Sequence, residues 1–280
     1  MPYKYIGHGQ DIFYVSMPNY VEYRDISAGK SILGTGSLQK LGIKMEEDIN
    51  RMFGKVSKSY DFVNHLLSFN IDKLWRDATA EKVLSMPGSL EILDIAAGTC
   101  DLSIALSRMA SRKGQAITVH ASDFNRSMLE IGSRKIAKMN LKNITTEEGN
   151  AFEIKRTDSS ADAVVSGFAL RSFYFSDGTG ENMGRFLSET YRVLKPGGRA
   201  VLLDMALPSK PSERMFFRIY SHFMRFVGFF VDNETYGWLV KTISKFDKEK
   251  LKSMMAEKGF KNVSITELKS GIAYMAYGEK

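Results

Sequence analysis

The stretch Leu90-Glu91-Ile92-Leu93-Asp94-Ile95-Ala96-Ala97-Gly98-Thr99-Cys100-Asp101 decides the fold. An apolar run gives way to small residues and then to a segment of helical periodicity, the pattern of a buried parallel strand passing through a ligand-cradling turn into a helix. Ala96, Ala97 and Gly98 carry almost no side chain, so a ligand can lie against the backbone, and the amides opening the next helix point at it. Asp94 ends the strand, and Asp123 ends a second apolar run that starts at Ile117. In an open α/β sheet an acid at the tip of the second strand is placed to accept hydrogen bonds from ribose hydroxyls. A dinucleotide-binding dehydrogenase would call for Gly-x-Gly-x-x-Gly, and residues 96–101 supply Gly98 alone. The loop therefore reads as the seat of an adenosyl ligand without phosphates.

Working outward, strands and helices alternate. Leu102, Ile104, Ala105, Leu106 and Met109 form a helix face that ends in a basic turn and Gly114. After the second strand, Asn125 and Ser127 are natural caps for a helix over Met128 to Met139. Gly149-Asn150-Ala151 follows a third strand, Ala161 to Phe168 is a fourth, and Arg199 to Met205 is a fifth, preceded by a helix from Met183 to Leu194 that ends in Lys195-Pro-Gly-Gly198. This alternation predicts a mostly parallel sheet. Asp247 caps a helix stopped by Gly259, and two closing strands, Val263 to Leu268 and Ile272 to Tyr277, flank the hairpin signal Lys269-Ser-Gly271. Upstream, Ile49, Met52, Phe53 and Val56 recur at helical spacing, and a second helical stretch runs through Trp75 to Leu84. Residues 1–45 show no sustained period and read as an extension packed on the domain, with a flap or an arm joining two copies as the functional alternative.

At 280 residues, one large domain is expected. The single cysteine, Cys100, excludes an internal disulfide and fits a reducing compartment. No secretory apolar core opens the chain, and the apolar-rich stretch Met215 to Val231 is broken by Arg218, His222 and Arg225 and is too short to span a bilayer. The formal charge of +7 is spread singly and in pairs, without the basic run that a phosphate track needs, so nucleic acid is not an expected partner. The four histidines and one cysteine show no metal-ligand spacing, so no metal is expected.

Asp94-Ile-Ala-Ala-Gly98-Thr99-Cys100-Asp101 resembles the Asp-x-Ala-x-Gly-Thr-Gly-Asp signature of the UbiE/MenG-type quinone C-methyltransferases. Residues Met52 to Ser68 with Leu74-Trp75-Arg76 resemble that family's entry motif, Phe168-Ala-Leu170-Arg171 its Phe-Gly-Leu-Arg-Asn element, and Tyr236-Gly-Trp238-Leu239 its Tyr-x-Tyr-Leu element. The resemblance covers residues 45–280, and the entry motif is its most discriminating part. It implies a class I S-adenosylmethionine-dependent methyltransferase, an α/β Rossmann-like fold with a seven-stranded, mostly parallel sheet and an antiparallel last strand. The family domain would span 46–280, with a helical cover at 46–86 and an aromatic substrate insertion at 208–246. Around S-adenosylmethionine the resemblance puts Tyr60, Asp94, Ala96, Gly98, Thr99, Asp123, Asn125, Met128, Asn150, Ala151, Ser166 and Gly167.

The implied reaction is C-methylation of a reduced prenylated quinone, demethylmenaquinol first, by a cytoplasmic enzyme that works peripherally at the membrane, with a homodimer as a further expectation. Arg171, at the end of the fourth strand, is the first candidate for polarising the quinol hydroxyl, followed by His222 and Tyr236. This chain departs from the family pattern at Cys100, where relatives have glycine, at Gly167, where they often have serine, and at Ser172-Phe173, where they have Asn-Val. A methyltransferase for another small molecule or lipid, and a non-catalytic adenosyl-binding protein, are the alternatives.

Overall fold

The computed structural model describes residues 12–17, 20–25, 71–215, 217–219, 221–222, 233–269 and 271–280. Its centre is a seven-stranded sheet of order β5-β4-β3-β6-β7-β9-β8. The strands are β3 Leu90–Ile95, β4 Ile117–Asp123, β5 Ile144–Glu148, β6 Ala161–Gly167, β7 Leu194–Met205, β8 Lys261–Glu267 and β9 Ala273–Glu279. Pairing is parallel from β5 through β7, and β9 runs antiparallel between β7 and β8. The chain winds outward from β3 to β4 and β5, then returns to place β6 on the other side of β3. Sheets of this kind bind ligands at such a reversal, outside the carboxyl ends of the strands.

Side chains alternate across the pleat, so successive residues of one strand feed opposite layers. Ile92, Val165 and Val201 pack toward α1 Ile71–Val83, α2 Asp101–Lys113 and α3 Arg126–Lys138. Leu93, Val164 and Leu202 pack toward α4 Leu170–Phe175, α5 Glu181–Val193 and α7 Lys248–Glu257. Helix α6, Asn233–Lys245, adds Ile243 to a smaller cluster with Phe217 and Ile272.

The caps behave as their residue types dictate. The Asn125 side chain accepts the Met128 amide at the start of α3, Gly114 closes α2 in a left-handed conformation, and Asp247 accepts the amides of Glu249 and Lys250. Lys195-Pro-Gly-Gly198 lies inside the irregular start of β7, since α5 ends at Val193. There a Cβ on Gly198 would sit 2.8 Å from the Lys195 carbonyl, and Gly197 and Gly198 exchange hydrogen bonds with the C-terminal Lys280. Residues 1–45 hold an element that the search for periodicity misses, an antiparallel pair of β1 Ile12–Met17 and β2 Tyr20–Asp25. Its six-residue strands are rich in β-branched and aromatic residues but too short for a sustained pattern. Residues 46–70 of the expected helical cover, and residues 216, 220 and 223–232 of the aromatic insertion, lie outside the described residues.

Tyr274 of β9 is 1% exposed, stacks on Phe246 at 5.9 Å, and its hydroxyl makes no hydrogen bond among the described residues. A desolvated, unpaired hydroxyl costs about 1–3 kcal/mol, so its removal is not expected to weaken the fold. In urea unfolding, Tyr274→Phe should leave stability unchanged or raise it by about 1 kcal/mol. A loss of that size would mean that the hydroxyl has a partner.

Candidate active site

The carboxyl end of β3 turns within five residues, three of them left-handed: Ala96 at φ 56°, Gly98 at 55° and Cys100 at 65°. Glycine takes this conformation freely, whereas alanine and cysteine carry a Cβ penalty, so the surroundings must hold the loop in place. The Asp123 carboxylate does this from the tip of β4. Its Oδ2 accepts the Gly98 amide at 2.7 Å and its Oδ1 accepts the Asn125 amide at 2.8 Å. Asp123 is 9% exposed, and burial raises its pKa against the pull of the donated amides. The Ala97 amide adds a bond to the Ser122 carbonyl at 3.0 Å.

Asp94 lies directly under the loop. It is fully buried, its Oδ2 accepts the Ser103 hydroxyl at 2.6 Å, and its Oδ1 has no hydrogen-bond partner among the described residues. Burial above all pushes its pKa up to about 7, with the Ser103 hydrogen bond opposing. A half-satisfied carboxylate beneath a small-residue loop fits the ammonium of an amino-acid tail, and the acid on β4 fits ribose hydroxyls, because a carboxylate has about four acceptor sites. The residues present therefore suit an adenosyl amino acid such as S-adenosylmethionine.

The other residues expected around that ligand are distributed as follows. Thr99 is 5% exposed and its hydroxyl accepts Lys135 Nζ at 3.1 Å. Met128 is buried, its terminal methyl 3.5 Å from where a Cβ on Gly98 would stand. Asn150 is exposed, and its side-chain oxygen accepts the Phe152 amide at 2.8 Å, a local turn around Ala151. Ser166 is fully buried at the end of β6 with a hydroxyl that has no hydrogen-bond partner among the described residues, and Gly167 follows it. Tyr60 and the side chain of Tyr236 lie outside the described residues.

The placement expected for Arg171 needs correction. Arg171 does not end a strand beside an open cleft. It is the second residue of α4, 2% exposed, and its guanidinium binds Asp204 through Nε at 2.6 Å and Thr242 through Nη1 at 3.2 Å. The turn between β6 and α4 carries the side chain inward, where Asp204 also accepts its backbone amide at 2.9 Å. His222 is exposed, with Nδ1 2.7 Å from the Arg218 carbonyl one helical turn back.

Arg76 belongs to the entry motif. From α1 it pairs with Asp72, reaches Asp101 at 3.8 Å, and lies 5.2 Å over the Phe168 ring. Asp101 also binds Lys135, so α1, α2 and α3 meet in one ionic network at the loop. The signal was the Leu-Trp-Arg triplet, in which Trp75 is buried and donates to the Lys269 carbonyl at 2.8 Å. Among the described residues no group of three or more His, Cys, Asp or Glu could hold a metal ion.

This sheet order, with its ligand loop after the first central strand, is the fold of the S-adenosylmethionine-dependent methyltransferases. A solved methyltransferase of that class from Aquifex aeolicus superposes with a TM-score of 0.50 at 18% identity, covering 71% of this chain and 88% of that one. The model of the ubiE/COQ5 methyltransferase family matches residues 41–280, and the chain belongs to that family and is a methyltransferase. It is 34% identical to the demethylmenaquinone methyltransferase of Lactobacillus johnsonii, over 84% of this chain and 93% of that protein. With the Staphylococcus epidermidis enzyme of the same name the identity is 35%, over 84% and 94%.

Cys100 sits at the family's glycine position. It is fully buried, burial pushes its thiol pKa up, and a Cβ on Gly132 would stand 2.5 Å from its Sγ. Gly132→Ala should therefore destabilise the protein by about 2 kcal/mol through overpacking. Adding Cys100→Gly should recover at least about 1 kcal/mol, because it removes both the sulfur and the left-handed Cβ penalty. Denaturant titrations of both single variants and the double variant measure this coupling, and strict additivity would contradict it.

Asp94 also sets a pH dependence. Its folded pKa is raised above the unfolded value near 4, so the ligand-free protein keeps the full contribution below pH 4 and loses it as pH rises through about 7. Unfolding midpoints measured from pH 5 to pH 8 should fall less steeply in Asp94→Asn than in the unsubstituted protein. Parallel profiles would show that Asp94 ionises freely.

Proposed function

We propose that this protein transfers the methyl group of S-adenosylmethionine to a ring carbon of a prenylated quinol, demethylmenaquinol first among them. The observation that carries the reading is identity of 34–35% with demethylmenaquinone methyltransferases over 84% of the chain. When bound, S-adenosylmethionine supplies an electrophilic sulfonium methyl. The chain's own part is to orient: Asp94 receives the amino-acid end, Asp123 the ribose, and the small-residue loop lets the ligand approach the backbone. Methyl transfer then depends on holding the ring carbon in line with the methyl while the quinol hydroxyl loses its proton.

In this reading Arg171 is a positioning residue. Through Asp204 and Thr242 it ties α4 and α6 to the end of β7, and α6 carries Tyr236. A prenyl tail would be drawn from a bilayer, and Met215 and Ile219 support this, being 58% and 66% exposed beside exposed Arg214 and Arg218. Cationic side chains next to exposed apolar ones suit an anionic lipid surface. No helix among the described residues is long and apolar enough to cross a membrane.

The test is purified protein with methyl-labelled S-adenosylmethionine and a panel of demethylated quinols. Label should enter the ring of demethylmenaquinol. Cofactor binding with no label in any quinol would favour a different small-molecule acceptor, to which Ser172-Phe173 would then be the pointer.

A further inference from the structure

Six described residues other than glycine have positive φ. Asn140, Ser159 and Asn262 are turn formers of the kind that tolerate this conformation. The other three, Ala96, Cys100 and Phe168, all lie just beyond the carboxyl ends of β3 and β6, the two strands between which the winding reverses. Phe168, at φ 66°, is the only bulky side chain among the six. A large residue in the left-handed region is disfavoured and persists where the surroundings over-determine it, as at active sites and ligand clamps. Here the Phe168 amide donates to the Leu203 carbonyl at 2.7 Å, the Trp75 ring lies 6.2 Å away at 58°, and the Arg76 guanidinium lies over the ring at 5.2 Å.

Packing alone does not require phenylalanine at this position. The turn from β6 to α4 would form more easily with glycine, and the ring is only half-buried against Trp75, Leu203 and Ala273. It stands one residue beyond Gly167, at the reversal where this fold class opens toward its ligands. We propose that Phe168 is the residue that orients the aromatic ring of the acceptor, its backbone strained and its ring set against Trp75 and Arg76 so that a flat substrate packs against it. The inference rests on the quinol reading above and adds to it the side chain that selects a planar acceptor. An aromatic pair contributes on the order of 0.5–1.5 kcal/mol beyond area burial, up to about tenfold in binding, and misorientation of the reacting carbon adds to that in turnover.

The experiment compares Phe168→Leu, which keeps an apolar body but no aromatic face, with Phe168→Gly, which relieves the backbone. Both are assayed with demethylmenaquinol and with a tail-less naphthoquinol. The expected result is a fall of about tenfold or more in kcat/KM toward both acceptors. Cofactor affinity should stay within about twofold, and the Phe168→Leu unfolding midpoint within about 3 °C of the parent. A purely structural residue would show the reverse: normal kinetics per folded molecule, with loss of stability in Phe168→Gly. Full turnover by the folded variants overturns the inference and leaves the quinol reading standing. Unfolding of both variants also overturns it, since the ring would then be there for packing. Failure of the parent protein to methylate either quinol overturns both.

Discussion

One carboxylate holds the site together. Asp123, at the tip of β4, accepts one amide from the β3 loop and another from the residue that caps α3. Without it, a loop that carries Ala96 and Cys100 in left-handed conformations would have little reason to stay folded back against the sheet. Hydrogen bonds to a charged acceptor are the stronger class, about 1.5–3 kcal/mol each, which is the scale needed to offset two such residues. Asp94, fully buried at the end of β3, keeps one carboxylate oxygen without a hydrogen-bond partner among the described residues.

A second set of buried charges works on the other side of the reversal. Arg171 and Asp204 are both nearly inaccessible, and a buried ion pair survives only when hydrogen bonds satisfy its remaining atoms. Asp204 meets that condition by accepting the Arg171 and Met205 amides, and Arg171 by donating to Thr242. The outcome is geometric: the helix after β6, the end of β7 and α6 share one fixed joint. Arg171 thus acts on the site through the elements that it holds.

Much of this architecture is legible in residue types and spacing. The first central strand, its small-residue turn, the acid on β4 and the caps at Asn125 and Asp247 follow from local chemistry that one position fully expresses. The direction of Arg171 does not, because a shift of one residue at the end of β6 decides whether the side chain faces outward or into the core. Nor do the left-handed conformations of Ala96, Cys100 and Phe168, since residue type predicts glycine there and the departures are imposed by neighbours from distant parts of the chain. The pair β1 and β2 shows a third limit: strands this short reveal themselves by composition and not by period.

The β3 loop and Asp123 are the proposed seat of the adenosyl ligand. Titration calorimetry of S-adenosylhomocysteine against the parent protein and Asp123→Asn tests this most directly, because the substitution keeps the size of the side chain and removes the charge and one acceptor from the carboxylate proposed to receive the ribose. Affinity should fall by about tenfold or more, in line with the loss of a charge-assisted hydrogen bond, in a variant that still unfolds cooperatively. Unchanged affinity in the folded variant would contradict the assignment.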